Sequence, residues 1–208
     1  MIEAIFWDND GVLVDTEHLY FEATRRVLAS VGVPLTEEDY RELFLVQGRG
    51  AWHLAEAREV QALKQRRNAL YAELIADAPC TLPGVLDVVS ALRARYRMGV
   101  VTSSRRDHFE IIHRGTGLLP YFDFVVTADD CPRTKPCPDP YLRAIEASGV
   151  NPAAGVAVED SERGLEAATA AGLRCVIVPS RLTRAQTFDG ALRRLESIRD
   201  LPPLLRTL

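Results

Sequence analysis

Ala4-Ile-Phe-Trp-Asp8-Asn-Asp10-Gly-Val-Leu-Val-Asp15-Thr-Glu17 is an apolar run that stops abruptly at two acids and a glycine. Ala4 to Trp7 read as a strand apolar on both faces, the pattern of a parallel sheet covered by helices on both sides. Asp8 then stands at the strand's carboxyl end, where open parallel sheets bind ligands. If the chain stays extended, Asp8 and Asp10 project to the same side, because side chains alternate along a strand. Carboxylates that close repel unless one is protonated or a cation lies between them. A hard divalent ion such as Mg²⁺ suits such oxygen ligands, and Gly11 lets the backbone turn tightly beside it. A plain acidic turn is the alternative, so partners elsewhere in the chain decide.

The chain of 208 residues is 47% hydrophobic and 26% charged, an ordinary globular composition with length for a full core and an insertion. A net charge of -4, with bases interspersed among acids, argues against a nucleic-acid-binding surface. No charged n-region followed by an apolar h-region opens the sequence, and no apolar run is long enough to cross a bilayer. A cytoplasmic protein without membrane partners is expected. Cys80, Cys131, Cys137 and Cys175 form neither a disulfide framework nor a CxxC metal knuckle and read as free thiols.

After Glu17 the period changes. Leu19, Phe21, Ala23, Val27, Leu28 and Val31 recur at helical spacing until Gly32 and Pro34. Thr36-x-x-Asp39 predicts a capping box opening a helix through Leu43, and 51–78 contain no Gly or Pro and favour helix. Residues 16–80 are therefore expected to form a block of three or four helices. Pro83-Gly84 marks the return, and Val85, Val88, Val89 and Leu92 form the inner stripe of a helix before a buried strand at 98–101. Beyond it, helices from about Asp107, from Pro140 and over 162–171 alternate with strands at 124–127, 155–158 and 175–178. This alternation predicts an α/β fold: a doubly wound parallel, Rossmann-like sheet from 1–15 and 81–208, with 16–80 inserted as an α-helical cap over the carboxyl edge. In the tail, Leu192, Leu195 and Ile198 suit a helix or a short edge strand, and Pro202-Pro203 is expected to end any element.

Three further strand ends carry polar groups. Strand 98–101 runs into Thr102-Ser103-Ser104, where Ser104-x-x-Asp107 reads as a helix cap and Thr102 needs another explanation. A strand-end hydroxyl before free helix N–H groups makes a phosphate receptor. Lys135 lies in a proline-stiffened loop before a helix for which Asp139 reads as the N-cap, and an ammonium there would offset charge on a phosphoryl group and on Asp8. Gly155-Val-Ala-Val-Glu159-Asp160-Ser161 is a second apolar strand that stops at acids. Glu159 and Asp160 point to opposite sides, so one can face a metal while the other orients a ligand.

With these ends together, the chain resembles the haloacid dehalogenase superfamily, in its phosphatase and β-phosphoglucomutase-like branch with a helical cap. The resemblance rests on Asp8-Asn-Asp10-Gly-Val-Leu-Val-Asp15-Thr-Glu17, Val101-Thr102-Ser103, Lys135-Pro-Cys-Pro-Asp-Pro-Tyr141 and Glu159-Asp160-Ser161-x-x-Gly164, in the family's order and spacing. It implies that Asp8 attacks phosphorus to form an aspartyl-phosphate, and that Asp10 protonates the leaving oxygen and then activates water. It also implies Mg²⁺ held by Asp8, the backbone carbonyl of Asp10 and Asp160, with Glu159 nearby. Thr102, the Ser103 amide and Lys135 would hold the phosphoryl oxygens. The implied activity is hydrolysis of a small phosphorylated metabolite, such as a sugar phosphate, by a monomer whose cap opens and closes.

At the position of the cap histidine of the mutases stands Tyr20, with His18 two residues earlier, and Gly48-Arg-Gly-Ala-Trp52 fits the mutase loop poorly. A hydrolase is therefore favoured over a phosphomutase, and the full set of charged groups counts against a non-catalytic phosphate-binding module. Substrate choice is expected to come from the cap, with His18, Tyr20, Gln47, Arg49, Trp52 and Arg67 as candidate selectors.

Overall fold

Four consecutive buried residues put β1 (Ala4–Trp7) at the centre of a sheet, because a strand without a polar face must be covered on both sides. The computed structural model describes every residue except Ala57 and Pro79. The later strands are β2 (Arg97–Val101), β3 (Phe124–Val126), β4 (Gly155–Glu159), β5 (Arg174–Ile177) and β6 (Arg193–Arg194). They pair in parallel in the order β3-β2-β1-β4-β5-β6, the doubly wound α/β fold predicted above. The strand order reverses between β1 and β4, which opens a ligand crevice at their carboxyl ends.

The helices are α1 (Glu17–Ala29), α2 (Glu37–Tyr40), α3 (Val60–Ala76), α4 (Val85–Leu92), α5 (Arg106–His113), α6 (Asp139–Ser148), α7 (Glu162–Ala170) and α8 (Leu201–Leu205). By their contacts the residues divide into two units, Met1–Asp15 with Cys80–Leu208, and Thr16–Pro79. In the first unit, Phe6, Val101, Ala157 and Ile177 from the sheet pack with Tyr141 and Ala144 of α6 and with Leu165 and Ala168 of α7. Each large apolar side chain buried there contributes about 1.5–3 kcal/mol. All four cysteines are free, as expected. Among the described residues no helix is long and apolar enough to cross a membrane.

The second unit is helical. The capping box forms: Thr36 Oγ1 accepts the Asp39 N–H at 3.0 Å, and Asp39 Oδ2 accepts the Thr36 N–H at 3.1 Å. The helix it opens is α-helical only to Tyr40 and then runs as a π-helical turn over Arg41–Val46, past the expected end at Leu43. The stretch lacking Gly and Pro is not one helix either. It starts with a 3-10 turn at Trp52–Leu54, and α3 begins at Val60. Aromatic packing accompanies this arrangement: Tyr40 stacks on Phe44 at 4.6 Å, and Phe44 meets the edge of Trp52 at 6.4 Å. In the tail, the short edge strand β6 forms, but Pro202-Pro203 does not end an element. Both lie in the first turn of α8, where a missing N–H costs no intrahelical bond.

Candidate active site

Asp8 extends the pairing of β1 by one residue, its N–H donating to Val158 O at 2.9 Å, so it emerges beside Glu159 and Asp160 at the end of β4. The chain then folds back at once, with the Asn9 carbonyl accepting the N–H groups of Leu13 and Val14 at 2.8 and 3.1 Å. Gly11 is required there: its φ is +89°, and a Cβ on it would lie 2.3 Å from Asp160 Oδ2. Glycine therefore brings the first motif against the acid of the fourth strand. Gly164 does the same for Glu159, whose carboxylate occupies the place of a Cβ, 1.9 Å from its ideal position.

Lys135 ties the strand ends together. Its Nζ donates to Asp8 Oδ1 at 2.7 Å, to Glu159 Oε1 at 2.6 Å and to Val101 O at 2.7 Å, which uses all three ammonium protons. Glu159 Oε1 also accepts the Tyr141 hydroxyl at 2.6 Å. Asp8, Lys135, Glu159 and Asp160 are all buried. Burial, and next the Glu159 carboxylate, push the Asp8 carboxyl well above its ordinary value, with Lys135 pulling the other way. Burial pulls the Lys135 ammonium down, yet Asp8 and Glu159 hold it above the ordinary lysine value.

Asp8, Glu159 and Asp160 offer ligand oxygens that lie within 4.8 Å of one another, a donor set fit for a hard cation. One ammonium against three buried carboxylates leaves a deficit of positive charge that a divalent ion would fill. The two acids of β4 diverge as successive strand residues should. Glu159 faces Lys135 and Tyr141, whereas Asp160 faces Gly11 and accepts the Thr183 hydroxyl on Oδ2 at 3.2 Å.

Asp10 is held on the other side. Its Oδ2 accepts from Ser104 Oγ at 2.8 Å, Thr102 Oγ1 at 3.2 Å and Asn9 Nδ2 at 3.3 Å, and Thr102 Oγ1 in turn accepts the Ser104 N–H at 2.9 Å. Ser104 is thus not the cap of α5. The N-cap is Arg105, whose side chain has no acceptor to offer, and the Ser104 hydroxyl is spent on Asp10. Asp139 is not an N-cap either: it is the first residue of α6, and its carboxylate takes the Arg133 guanidinium at 2.9 Å. Ser103 is exposed at the exit of β2.

In the helical unit, three of the six candidate selectors come together. The Arg67 guanidinium is buried 4.1 Å from the centre of the Tyr20 ring and 5.4 Å from that of Trp52. Its Nε donates to Asn68 Oδ1 at 2.9 Å, while Nη1 is buried without a hydrogen-bond partner among the described residues. His18, Gln47 and Arg49 are exposed, Gln47 donating to Glu42 at 2.5 Å. Asn9, Ser104, Tyr141 and Thr183 contact the acids and the lysine but were not among the expected site residues. Asn9, Ser104 and Tyr141 each had a visible signal, Asn9 and Tyr141 lying within the motif stretches and Ser104 directly after Thr102-Ser103, whereas Thr183 had none.

A doubly wound sheet with a helical insertion after β1, and a lysine shared between two buried carboxylates at its switch point, define a class of enzyme. The chain belongs to the haloacid dehalogenase-like hydrolases, whose family model matches residues 2–172, and it is a phosphoric monoester hydrolase. Among its relatives, Protein CbbY of Cereibacter sphaeroides is 35% identical over 97% of this chain and 94% of its own length. The phosphorylated carbohydrates phosphatase of Thermotoga maritima is 36% identical over 83% of this chain and 82% of its own. The crystal structure of a CbbY mutant from Rhodobacter sphaeroides in complex with xylulose-1,5-bisphosphate has a TM-score of 0.83 and 32% identity, covering 95% of each chain.

Proposed function

We propose that this enzyme hydrolyses a small phosphorylated sugar through an aspartyl-phosphate on Asp8, with Mg²⁺ as its cofactor. The observation that carries the reading is the Lys135 ammonium bridging Asp8 and Glu159 at 2.7 and 2.6 Å, beside Asp160. It opposes the effect of burial on Asp8 and favours the ionised carboxylate that a nucleophile must be. Asp8, Asp160 and the Asp10 carbonyl would hold Mg²⁺, which offsets charge on the attacking carboxylate and on the phosphoryl oxygens. Glu159, whose Oε1 already accepts two donors, orients Lys135.

Asp8 attacks phosphorus while Asp10 gives its proton to the leaving oxygen as the P–O bond breaks. Water then attacks the phosphoryl group, Asp10 takes the water proton, and Asp8 leaves as the carboxylate. Thr102, the Ser103 amide and Lys135 position the phosphoryl oxygens. The names of the relatives support a phosphorylated carbohydrate as substrate. Of the candidate selectors on the helical unit, Arg67 has a buried Nη1 with no hydrogen-bond partner among the described residues, a donor suited to an anionic oxygen, and Tyr20 and Trp52 flank its guanidinium. His18, Gln47 and Arg49 remain candidate selectors on the same helical unit.

Release of p-nitrophenol from p-nitrophenyl phosphate with Mg²⁺ tests the reading. Asp8→Asn should abolish turnover with the fold retained, and turnover at the wild-type rate refutes the assignment. Incubation with a sugar 1-phosphate and its bisphosphate should release phosphate. Isomerisation without release would favour a mutase instead.

A further inference from the structure

One buried imidazole of the α/β unit has no part in the chemistry above. His113 ends α5, packs on Phe109 with ring centres 4.3 Å apart, and faces the first motif. Its Nε2 lies 2.8 Å from Asn9 Oδ1 and its Nδ1 lies 2.9 Å from Thr116 Oγ1. Asn9 is fully buried, and its Nδ2 donates to Asp10 Oδ2 at 3.3 Å.

The carboxylate fixes the polarity of this chain. Asp10 Oδ2 accepts the Asn9 amide N–H whether or not the acid carries its proton on Oδ1, so the amide oxygen faces the ring. His113 Nε2 therefore carries the proton, and Nδ1 accepts from the Thr116 hydroxyl. That is the neutral tautomer, which burial enforces by pushing His113 down to about 4.

We propose that His113 is a positioning residue for the general acid, fixing the orientation of Asp10 through Asn9. The inference rests on the reading of Asp10 as the acid that protonates the leaving oxygen. Of the donors named above on Asp10 Oδ2, Ser104 and Thr102 are hydroxyls that rotate about a single bond. The planar Asn9 amide is the one that a second, remote contact can lock. Without the ring N–H, Asn9 Oδ1 is a buried acceptor with its bond lost, and the amide is held only at its Asp10 end. An amide anchored at one end can tilt, and Asp10 loses the donor that fixed its orientation.

The experiment compares kcat/KM for phenyl phosphate and p-nitrophenyl phosphate, because phenolate is the poorer leaving group and depends more on proton donation. His113→Phe keeps a ring against Phe109 and removes the donor. It should lower kcat/KM roughly ten-fold for phenyl phosphate and less than about two-fold for p-nitrophenyl phosphate, a partial loss of general-acid assistance. His113→Gln, which restores an N–H donor, should recover most of the loss. Should His113→Phe fail to fold, Asn9→Leu cuts the same chain from its other end and should give the same selective loss. Equal losses on both esters, or none, overturn the proposal. Asp10→Asn measured in parallel separates the two claims. If Asp10→Asn shows the selective loss and the His113 and Asn9 variants do not, the positioning role fails while the acid stands. If Asp10→Asn shows no selectivity, both fall.

Discussion

Lys135→Met tests the ionic centre of the site, since it keeps most of the length of the side chain and removes the ammonium with its charge and its three hydrogen bonds. In the native protein Nζ spends its three protons on Asp8, Glu159 and the Val101 carbonyl, and the side chains of Lys135, Asp8 and Glu159 are 6%, 11% and 0% exposed. Removing one partner of a buried ion pair leaves an uncompensated charge and costs about 3–5 kcal/mol. At about 2–4 °C per kcal/mol for a chain of this size, Tm should fall by roughly 10 °C. The loss should depend on pH. The Asp8 carboxyl already stands above its ordinary value, so its contribution to stability is complete below the unfolded value and is lost as pH rises through the folded one. Without the ammonium that folded value rises further. The deficit against wild type is then smaller toward acid and grows toward neutrality. Lys135 itself, raised above the ordinary lysine value, keeps its full contribution across this window and loses it only at strongly alkaline pH. Scanning calorimetry in EDTA near about pH 5 and about pH 8, with circular dichroism to confirm the fold, reads the difference. A Tm within about 2 °C of wild type near the higher pH, or a deficit that widens on acidification, would refute the reasoning.

Gly11→Ala should displace Asp160, because the new Cβ meets Asp160 Oδ2 at 2.3 Å on a φ of +89°. The Mg²⁺ concentration for half-maximal activity should rise by about ten-fold or more, and an unchanged Mg²⁺ titration would contradict this. Thr183→Val removes the hydroxyl 3.2 Å from Asp160 Oδ2 and should weaken Mg²⁺ activation by a few-fold while kcat at saturating Mg²⁺ holds. A lower kcat with an unchanged Mg²⁺ titration would count against it. Phe6→Ala opens a cavity between β1 and the α6 and α7 face and should cost about 3–5 kcal/mol in urea unfolding, with m unchanged.

The sheet was legible because covered parallel strands have a narrow composition. Ala4–Trp7 and Gly155–Glu159 each read as an apolar run ending in acids, and each is buried throughout. The opposite facing of Glu159 and Asp160 followed from strand alternation alone. What local sequence could not show are bonds between distant residues. Ser104-x-x-Asp107 satisfies the cap signature, yet the Ser104 hydroxyl goes to Asp10, 94 residues earlier, and His113 meets Asn9 across 104 residues. Neither partner leaves a periodic trace. Thr183 stayed hidden in a tail whose apolar spacing fits two elements. In the helical unit, propensity favoured helix over 51–78, but the aromatic contacts of Tyr40, Phe44 and Trp52 accompany a π-helical turn and a 3-10 turn that propensity does not register.

The most direct measurement is acid quenching of the enzyme during turnover of p-nitrophenyl phosphate with Mg²⁺, followed by digestion and mass spectrometry. The expected result is a phosphoryl group on the carboxylate of Asp8, absent from Asp8→Asn. Phosphate carried by any other side chain, or turnover by Asp8→Asn with no phosphorylated species at all, would contradict it.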